Sequence, residues 1–435
     1  MSNLSTPERG VAAPSAAARA SLLVTIICWG MVVIEGYDLI SFGSVLPVLL
    51  RDPGSGFTPQ NAGLVGATAF IGATVGALSS GWLSDRIGRR PVAIGSLVWF
   101  SVFTFLCGFA DGPATLGLLR LLAGIGIGAI VPSTSALTLE YAVPEHRTLS
   151  YTLMLSGVPI GGVLAAVSGM TVIPSLGWNW VFFVAVVPAV LILPIVLWKL
   201  PESITFLEHR GRLARADVLR ERFGLPRPAS PPAADDGSPT PGIFSTDYRR
   251  ASALFAVASF FGLLTWFGLG TWIPGIMRHM GYDLGSALRF LLILNIGAII
   301  GSIFIALATD RWGSKKVVVG TYLCLAVVLT VLLIKLPQPP LLVAMALAGV
   351  GGHGGQILIN RYVGRSYPAA TRARALGWSL GAGRIGTILG PIVIGLIVAD
   401  GRASLGFLFF AGCAAAAAVT LLAVPRTPAA SRDEE

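Results

Sequence analysis

The chain has 435 residues, of which 54% are hydrophobic and only 12% are charged. A soluble domain carries about 25% charged residues, so this composition excludes a soluble enzyme or binding module and indicates a protein that crosses a membrane repeatedly. The net charge is +10, but its placement in loops does not favour nucleic acid. The four cysteines occur singly inside apolar runs, without the spacing of a disulfide framework or a metal site. We therefore expect no metal, no cofactor and no nucleic-acid partner.

Twelve apolar runs are long enough to cross a bilayer as helices. A polar segment divides them into two groups of six. We therefore predict an all-α membrane protein with twelve transmembrane helices in two six-helix bundles, surrounded by the lipid bilayer. The runs cover residues 21–49, 60–82, 92–110, 114–139, 149–173, 178–199, 251–277, 284–309, 317–335, 338–360, 373–399 and 403–424.

The polar regions complete the predicted organisation. Residues 201–223 have the pattern of one amphipathic surface helix, and the Pro-rich residues 226–241 are typical of a linker. The predicted divisions are a tail at 1–20, a first bundle at 21–199, a central loop at 200–250, a second bundle at 251–424 and a tail at 425–435.

Basic residues predict how the chain is oriented in the membrane. If both termini are cytoplasmic, cytoplasmic segments hold 24 of the 31 Lys and Arg residues. The outer loops then hold four, and three lie inside the apolar runs. The positive-inside rule therefore predicts a multi-pass protein of the cytoplasmic membrane with both termini in the cytoplasm. We expect it to be a monomer.

The first apolar run contains two acidic residues. Glu35 and Asp38 lie three positions apart, so they share one face of a helix. An acidic side chain at the bilayer centre costs roughly 2.5–3.5 kcal/mol on translocon scales. Two such residues indicate a protonation or ion-coupling site. The alternative is that they are salt-bridged partners that hold helices together.

An internal repeat supports the division into two groups of six. The segment Gly76–Arg90 returns 225 residues later as Gly301–Lys315, and an offset of 227 pairs Gly43 and Pro47 with Gly270 and Pro274. Such a near-constant register predicts parallel structural repeats. A substrate site is then expected near the membrane midplane, between the two halves.

Several motifs resemble those of the major facilitator superfamily. The segment Gly81–Arg90, with the sequence GWLSDRIGRR, resembles its signature loop, and Asp310–Lys315 resembles the degenerate second copy. Arg120 and Gly124 match the spacing of its fourth-helix pattern. The resemblance implies two pseudo-symmetric six-helix bundles around a central cavity that opens alternately to either side.

A narrower resemblance is to the aromatic acid:proton symporter family. The segment Glu35–Pro47 resembles its acidic motif, although that family usually has Asp where this chain has Glu35. Leu264–Pro274 and Ala375–Gly386 resemble its seventh and eleventh helices. The resemblance implies secondary active import of a monocyclic aromatic carboxylate, of the benzoate or hydroxybenzoate class, by proton symport. Glu35 and Asp38 would then carry the coupling protons.

Two arginines inside the apolar runs are candidates to bind the substrate carboxylate. We expect Arg120 to lie near Glu35 and Asp38, and a substrate anion is its alternative partner. Arg384 has no acid at its depth in the second group of six helices. Because its planar fork suits a carboxylate, we expect Arg384 to bind the substrate. The alternative for Arg384 is a tether between helices.

Polar and aromatic residues complete the predicted substrate site. His353, Gln356 and Asn360 follow one another at spacings of three and four, which places them on one face of the tenth helix. They are candidates to read ring substituents, and the alternative for His353 is a structural hydrogen bond. Aromatic side chains are expected to form a slot for the ring or else to pack against neighbouring helices. These candidates are Tyr37, Phe42, Trp266, Trp272 and Trp378.

The signature loop and the segment after the fourth helix are predicted to form a cytoplasmic gate. Charges there would hold helix ends together in one state of the transporter and release them in the other. Arg89 is explained as an orientation signal alone. The predicted gate residues are Asp85, Arg86 and Arg90, with Glu140 and Arg147 as partners and Asp310 and Arg311 as the second copy.

Two other functions are less consistent with the sequence than proton-coupled import. A drug:proton antiporter of the same fold would carry a Gly-Pro pair before a double Gly in the fifth helix, and Gly157–Gly162 matches this pattern only in part. A membrane-embedded enzyme or receptor is disfavoured because the sequence shows neither a metal-ligand cluster nor a folded soluble domain. Import of an aromatic carboxylate remains the predicted function.

Overall fold

The computed structural model of the protein describes residues 16–225, 242–334, 337–425 and 427. The predicted Pro-rich linker and most of both predicted tails lie outside these residues. Short 3-10 helices occur at Pro53–Ser55 and Pro144–His146. The α-helices are α1 Ala16–Leu49, α2 Pro59–Ile87, α3 Arg89–Cys107, α4 Pro113–Tyr141, α5 Arg147–Leu155, α6 Gly157–Leu176, α7 Asn179–Lys199, α8 Ile204–His209, α9 Leu213–Phe223, α10 Arg249–His279, α11 Leu284–Trp312, α12 Ser314–Val331, α13 Gln338–Ser366, α14 Ala369–Ala399 and α15 Leu405–Leu422.

The described residues contain twelve spans that are long and apolar enough to cross a membrane, as predicted. They are α1 to α4, α5 together with α6, α7, and α10 to α15. Several helices continue past the apolar run: α2 extends to Ile87, α4 to Tyr141 and α13 to Ser366. This happens because intrahelical hydrogen bonds do not require an apolar side chain, so the helix continues where the hydrophobic signal stops.

The alternation of the spans gives the molecule two ends. We call the end that holds the turn after α1 the Arg51 face, and the end that holds the turn between α2 and α3 the Arg86 face. The described parts of the segment between α7 and α10, residues 200–225 and 242–248, lie at the Arg86 face. Helix starts are fixed by side chains at both ends of the molecule. At the Arg51 face, for example, Thr58 and Asn61 form a reciprocal capping box at the start of α2.

Most contacts between the two bundles are made by three helix pairs, α1 with α10, α2 with α14, and α6 with α11. The approach is closest where side chains are absent. A methyl group on Gly43 would lie 2.3 Å from the main-chain oxygen of Gly270, and one on Gly63 would lie 2.8 Å from that of Pro391. These glycines are in the half of each span nearest the Arg51 face, so backbone packing closes the interface there.

The segment after α7 differs from the prediction of a single surface helix. It forms two helices, α8 and α9, because Gly211 adopts a left-handed backbone conformation with φ of 69° between them. An ion pair between Glu208 and Arg220 holds the two helices together. The ring of Phe223 at the end of α9 lies 5.0 Å from that of Tyr141 at the end of α4. The hairpin therefore packs on the Arg86 end of the first bundle.

Candidate functional site

The acidic pair of α1 lies inside the protein. Glu35 is 5% exposed and Asp38 is 2% exposed. One oxygen of each carboxyl group, Oε2 of Glu35 and Oδ2 of Asp38, is buried without a hydrogen-bond partner among the described residues. Since an ionised carboxylate is unfavourable in such surroundings unless it is paired, the charges near each acid decide what it can do.

Asp38 belongs to a cluster within the first bundle. Its Oδ1 accepts a hydrogen bond of 2.5 Å from the Thr104 hydroxyl of α3. Arg120 of α4 donates through Nη1 to the Asp38 main-chain oxygen at 3.5 Å, and its charge is the one that acts on the Asp38 carboxyl group. The Arg120 Cζ also lies 5.2 Å from the centre of the Phe42 ring, within the range of a cation–π contact. Arg120 therefore lies beside the acids of α1, where the sequence placed it.

Glu35 faces the second bundle. The strongest charge acting on its carboxyl group is that of Arg384 in α14, and the charge acting on Arg384 is that of Glu35. Arg384 thus has an acid whose charge acts on it, contrary to the expectation, although no ion pair within 4 Å joins the two side chains among the described residues. The acid that acts on Arg384 belongs to α1 and reaches it across the interface between the bundles, so it is absent from the second group of helices.

Arg384 also holds the two bundles together directly. Its Nη1 donates a hydrogen bond of 3.2 Å to the main-chain oxygen of Ala73 in α2. The two readings from the sequence, a tether and a carboxylate site, are thus compatible. One edge of the guanidinium is committed to α2, and the remaining donors of the fork are available to Glu35 or to a substrate.

The second bundle contains an uncharged polar cluster on α13. Gln356 donates through Nε2 to Asn360 Oδ1 at 3.1 Å and to the Ser259 hydroxyl at 3.4 Å. Ser259 of α10 in turn lies 2.7 Å from the hydroxyl of Ser379 in α14. The predicted stripe is therefore real for Gln356 and Asn360, and its hydrogen bonds connect three helices.

Three buried atoms of this cluster have no hydrogen-bond partner within the described parts of the chain: Gln356 Oε1, His353 Nε2 and the Tyr322 hydroxyl. Tyr322, which is fully buried in α12, was not predicted. A methyl group on Gly262 would lie 2.3 Å from the Tyr322 oxygen and 3.1 Å from Gln356 Oε1, so both atoms converge on that glycine. Buried polar atoms normally have partners, and this pair has one donor and one acceptor to offer to a hydroxyl group.

Two predicted aromatic residues of the first bundle have different surroundings. Phe42 is buried against Arg120, as described above. The Tyr37 hydroxyl instead donates to the main-chain oxygen of Val181 at 2.7 Å and lies 2.8 Å from the Ser168 hydroxyl. Tyr37 thus binds α1 to α6 and α7, which is the packing alternative stated for these residues.

The tryptophans of the second bundle do not form a single slot. Trp272 donates to the main-chain oxygen of Pro391 at 2.9 Å, and Trp378 donates to that of Ser252 at 3.0 Å. Both indoles therefore connect α10 with α14, and Trp378 does so near the Arg86 face. Trp266 differs, because its ring lies 5.2 Å from that of His353 on the polar face of α13.

The signature loop contacts the segment that follows α7. Glu202 Oε1 accepts hydrogen bonds from the backbone N–H groups of Arg89 at 2.9 Å and Arg90 at 3.0 Å. The Arg89 guanidinium forms an ion pair with Glu140 and donates to the Ser203 hydroxyl at 3.1 Å. Ser203 donates to Glu140 Oε1 at 2.9 Å. These contacts form a clasp, which we define as Arg89, Glu140, Glu202 and Ser203.

The clasp corrects two sequence interpretations. Arg89 is more than an orientation signal, and the partner of Glu140 is Arg89 rather than Arg86 or Arg90. Gly88 makes the contact possible, because its φ is 105° and a methyl group there would lie 2.4 Å from Glu202 Oε2. The sequence does contain a signal for this contact, because Glu202 is an acidic residue that closely follows the last apolar run of the first half. Its position in a polar segment hides that signal.

The remaining gate candidates are not brought together. Asp85 is exposed, and within the described residues its carboxylate has neither an ion pair nor a hydrogen bond. Arg86 stacks on Trp82 with its Cζ 3.9 Å from the ring centre. Arg147 and Arg311 are exposed, while the side chain of Asp310 lies outside what the structure describes. A role for these residues in gating stays a prediction.

Comparison with known proteins identifies the chain at the level of the family. The sequence pattern described as Major Facilitator Superfamily matches residues 28–305 and 255–435. The chain belongs to the major facilitator superfamily. The predicted twelve-helix fold of that superfamily is thereby confirmed.

Within the superfamily, the similar curated proteins include transporters of aromatic acids. The gentisate transporter of Corynebacterium glutamicum is 38% identical over 381 residues, covering 87% of this chain and 81% of the relative. The benzoate transport protein of Acinetobacter baylyi is 33% identical over 394 residues, covering 87% and 83%. The gallate transporter of Pseudomonas putida is 30% identical over 390 residues, covering 87% and 86%. The resemblance to the aromatic acid transporters is confirmed.

Solved structures of the superfamily share the fold. The xylose transporter of Escherichia coli in a partially occluded inward open conformation superimposes with a TM-score of 0.76 at 16% identity, covering 94% of this chain and 99% of that one. The crystal structure of a D-xylose-proton symporter gives a TM-score of 0.75 at 17% identity, with the same coverage. At this identity the likeness establishes the architecture alone.

Proposed function

We propose that this protein imports a monocyclic aromatic carboxylate, of the benzoate or hydroxybenzoate class, by proton symport with alternating access. The relatives named above transport gentisate, benzoate and gallate, which supports the substrate class. The excess of basic residues in the loops of the Arg86 face supports an orientation with that face and both termini in the cytoplasm. The Arg51 face is then the outer face.

The observation that carries the proposal is the arrangement of two buried acids, each with its own arginine. Asp38 and Arg120 belong to one bundle, whereas Glu35 and Arg384 face each other from different bundles. A charge pair that crosses the interface is suited to coupling, because alternating access moves one bundle relative to the other.

The arrangement supports an exchange mechanism at Arg384. A substrate carboxylate that binds the free edge of the guanidinium competes with Glu35 for the same donors. Glu35 then loses its counter-charge in a buried site, where an unpaired carboxylate is unfavourable, and binding a proton compensates. Substrate and proton would therefore enter together, with Asp38 as the second proton site beside Arg120.

The polar cluster of the second bundle is suited to read the ring. Gln356, Asn360 and His353 present uncharged hydrogen-bonding groups, and Tyr322 adds a buried hydroxyl. Such groups recognise ring hydroxyls without competing for the carboxylate. Phe42 and Trp266, which lie beside Arg120 and His353 respectively, are the aromatic residues placed to contact the ring.

Uptake by the purified protein in vesicles tests the proposal. Radiolabelled benzoate and hydroxybenzoates are offered with and without an imposed inward proton gradient, alongside a panel of cationic dyes. We expect concentrative uptake of the carboxylates that a protonophore abolishes. Uptake that ignores the proton gradient would refute the coupling, and dye export without carboxylate uptake would establish the drug antiporter instead.

A further inference from the structure

Two arginines from opposite bundles line one cleft at the Arg51 face. Arg51 follows the end of α1, and Arg278 is in the last turn of α10. Arg51 is exposed and Arg278 is half-buried. The cleft is lined by Pro47, Val48, Arg51, Asp52, Arg278 and Leu284.

The two arginines are equivalent positions of the internal repeat. The offset of 227 that pairs Gly43 with Gly270 also pairs Arg51 with Arg278. Since Gly43 and Gly270 pack against each other, the pseudo-twofold axis passes between them. Arg51 and Arg278 lie eight residues after Gly43 and Gly270 respectively, which is about 12 Å at the rise of an α-helix. The two arginines therefore flank the same axis beyond the crossing of α1 and α10.

The positive charges of the cleft are not neutralised by direct contacts. Among the described residues, no carboxylate lies within 4 Å of either guanidinium. Arg278 donates through Nη1 to the main-chain oxygen of Tyr282 at 3.0 Å, but its Nε is buried and has no hydrogen-bond partner in the described part of the chain. The charges of Arg51 and Asp283 both act on Arg278, and the repulsion from Arg51 is the larger of these two effects.

The titratable groups near the two arginines form hydrogen bonds with the backbone. Asp52 Oδ1 accepts a hydrogen bond of 2.9 Å from Gly54 N–H, and Asp283 Oδ1 accepts one of 3.0 Å from Ser286 N–H. Hydrogen bonds from Ser286 lower the pKa of Asp283, so this acid stays ionised as the N-cap of α11. His279 is exposed, with Nδ1 3.0 Å from the main-chain oxygen of Gly275.

We infer that this cleft is a docking site for a carboxylate anion on the outer face. An anion between the two arginines relieves their repulsion and supplies a partner for the buried Nε of Arg278, and each fork is able to bind a carboxylate in bidentate fashion. The identification of this anion as the aromatic carboxylate rests on the proposed function, because an inorganic anion offers similar chemistry. The site lies outside the packed crossing at Gly43, so it holds the substrate before entry and steers it there electrostatically.

The test is the concentration dependence of benzoate uptake by the full chain in vesicles, measured at low and high salt. Arg51→Gln and Arg278→Gln should each raise KM about two- to fivefold, the effect of one partly exposed charge contact, with kcat unchanged. Both should also weaken the dependence of KM on salt, since screening acts on exposed charges. Arg51→Lys should restore most of the affinity. Arg402→Gln is the matched control, because Arg402 lies at the same face, is 69% exposed and pairs with Asp400 at 3.4 Å.

Two results would overturn the inference. One is an unchanged KM in both variants. The other is a KM that responds equally in the Arg402→Gln control, which would indicate a general surface effect. If inorganic phosphate raises the melting temperature of the wild type but not of Arg51→Gln, while benzoate has no such effect, the site is an inorganic anion site and the substrate assignment is wrong.

The proposed function is judged separately. If wild-type vesicles accumulate no benzoate, symport of this substrate is refuted. The docking site is then decided by benzoate binding to the purified wild type and to Arg51→Gln, measured by saturation-transfer NMR. Weaker binding by the variant supports the site, and equal binding rejects it.

Discussion

The two bundles repeat one helical plan, but equivalent helices carry different chemistry. The offset of 227 that relates α1 to α10 places Gly262 at the position of Glu35 and Thr265 at that of Asp38. The first bundle therefore has two buried acids where the second has none. Around Gly262 the second bundle instead gathers the uncharged groups of Tyr322 and Gln356. The difference suggests that the first bundle handles protons while the second recognises the ring.

Arg384 connects these two tasks. It belongs to the second bundle, yet it donates to Ala73 of the first and acts on Glu35. A duplicated transporter can thus assign coupling and recognition to different halves, provided that one residue senses both. Substitutions in each bundle can test whether coupling and recognition are separated in this way.

Removing the carboxylate of Asp38 should have the largest effect. Asp38→Asn keeps the acceptor for Thr104 but cannot release a proton, so we expect it to abolish concentrative uptake of benzoate. Exchange of internal for external substrate should persist, because exchange requires no net proton movement. Asp400→Asn, at an exposed acid of the Arg51 face, is the control. Vesicles of Asp38→Asn that still concentrate benzoate under an inward pH gradient would contradict the assignment.

Arg384 is expected to dominate substrate affinity. Arg384→Ala removes charge-assisted hydrogen bonds worth about 1.5–3 kcal/mol, so the Kd for benzoate should rise on the order of 10- to 100-fold. Arg384→Lys should have an intermediate effect, because it keeps the charge and loses the fork. Calorimetry on the purified variants measures this, with Arg289→Ala, an exposed arginine of α11, as the control.

The comparison with Arg120 sharpens the same point. Arg120→Ala leaves Asp38 buried without its cation and should lower the melting temperature or uncouple transport, while folded protein still binds benzoate. Tight binding by Arg384→Ala together with lost binding by a well-folded Arg120→Ala would reverse the two roles.

The fold could be predicted from the sequence because its signal is local. Each span is an apolar run, and the repeat joins the runs into two bundles. The errors occur where the local signal is weak, as at Gly211, whose left-handed conformation divides one predicted helix into two.

The site could be predicted in part, for a related reason. Arg120 was placed near Asp38 because both belong to one bundle. The pairing of Glu35 with Arg384 depends on which faces of two bundles meet, and no pattern along the chain records that. Tyr322 could not be predicted for the same reason. Its hydroxyl lies next to Gly262, which is 60 positions away in the sequence and adjacent only in the fold.

The hydroxyl of Tyr322 should affect selectivity rather than transport in general. Tyr322→Phe removes one neutral hydrogen-bond donor, worth about 0.5–1.5 kcal/mol, so KM for a hydroxybenzoate should rise roughly two- to tenfold. KM for benzoate, which has no ring hydroxyl, should not change. Competition between the two substrates for uptake measures the ratio directly.

A second buried tyrosine of the same bundle provides the control. Tyr367 is 1% exposed, and its hydroxyl lies 2.7 Å from that of Ser252. Tyr367→Phe should lower stability slightly and leave selectivity intact. If Tyr322→Phe changes the KM of both substrates equally, the hydroxyl has a structural role. The assignment of ring recognition to the second bundle would then be wrong.

The smallest effect is expected at the clasp, which joins the Arg86 end of the first bundle to the segment that follows α7. Glu202→Gln weakens the charge-assisted bonds to the N–H groups of Arg89 and Arg90, a loss of about 1 kcal/mol at this half-buried site, and should lower the melting temperature while KM is unchanged. Asp85→Asn should change the melting temperature little, because the exposed Asp85 carboxylate forms no hydrogen bond or ion pair within the described residues and acts on Arg89 only through its charge. It should lower turnover if that acid belongs to a gate. A gate alters the balance of conformations without touching the substrate, so kcat should fall and KM should not. Thermal unfolding and uptake kinetics of the two variants therefore distinguish a clasp that stabilises the first bundle from a gate that acts between the two bundles. If Asp85→Asn has the kcat of the wild type, the signature loop has a structural role alone.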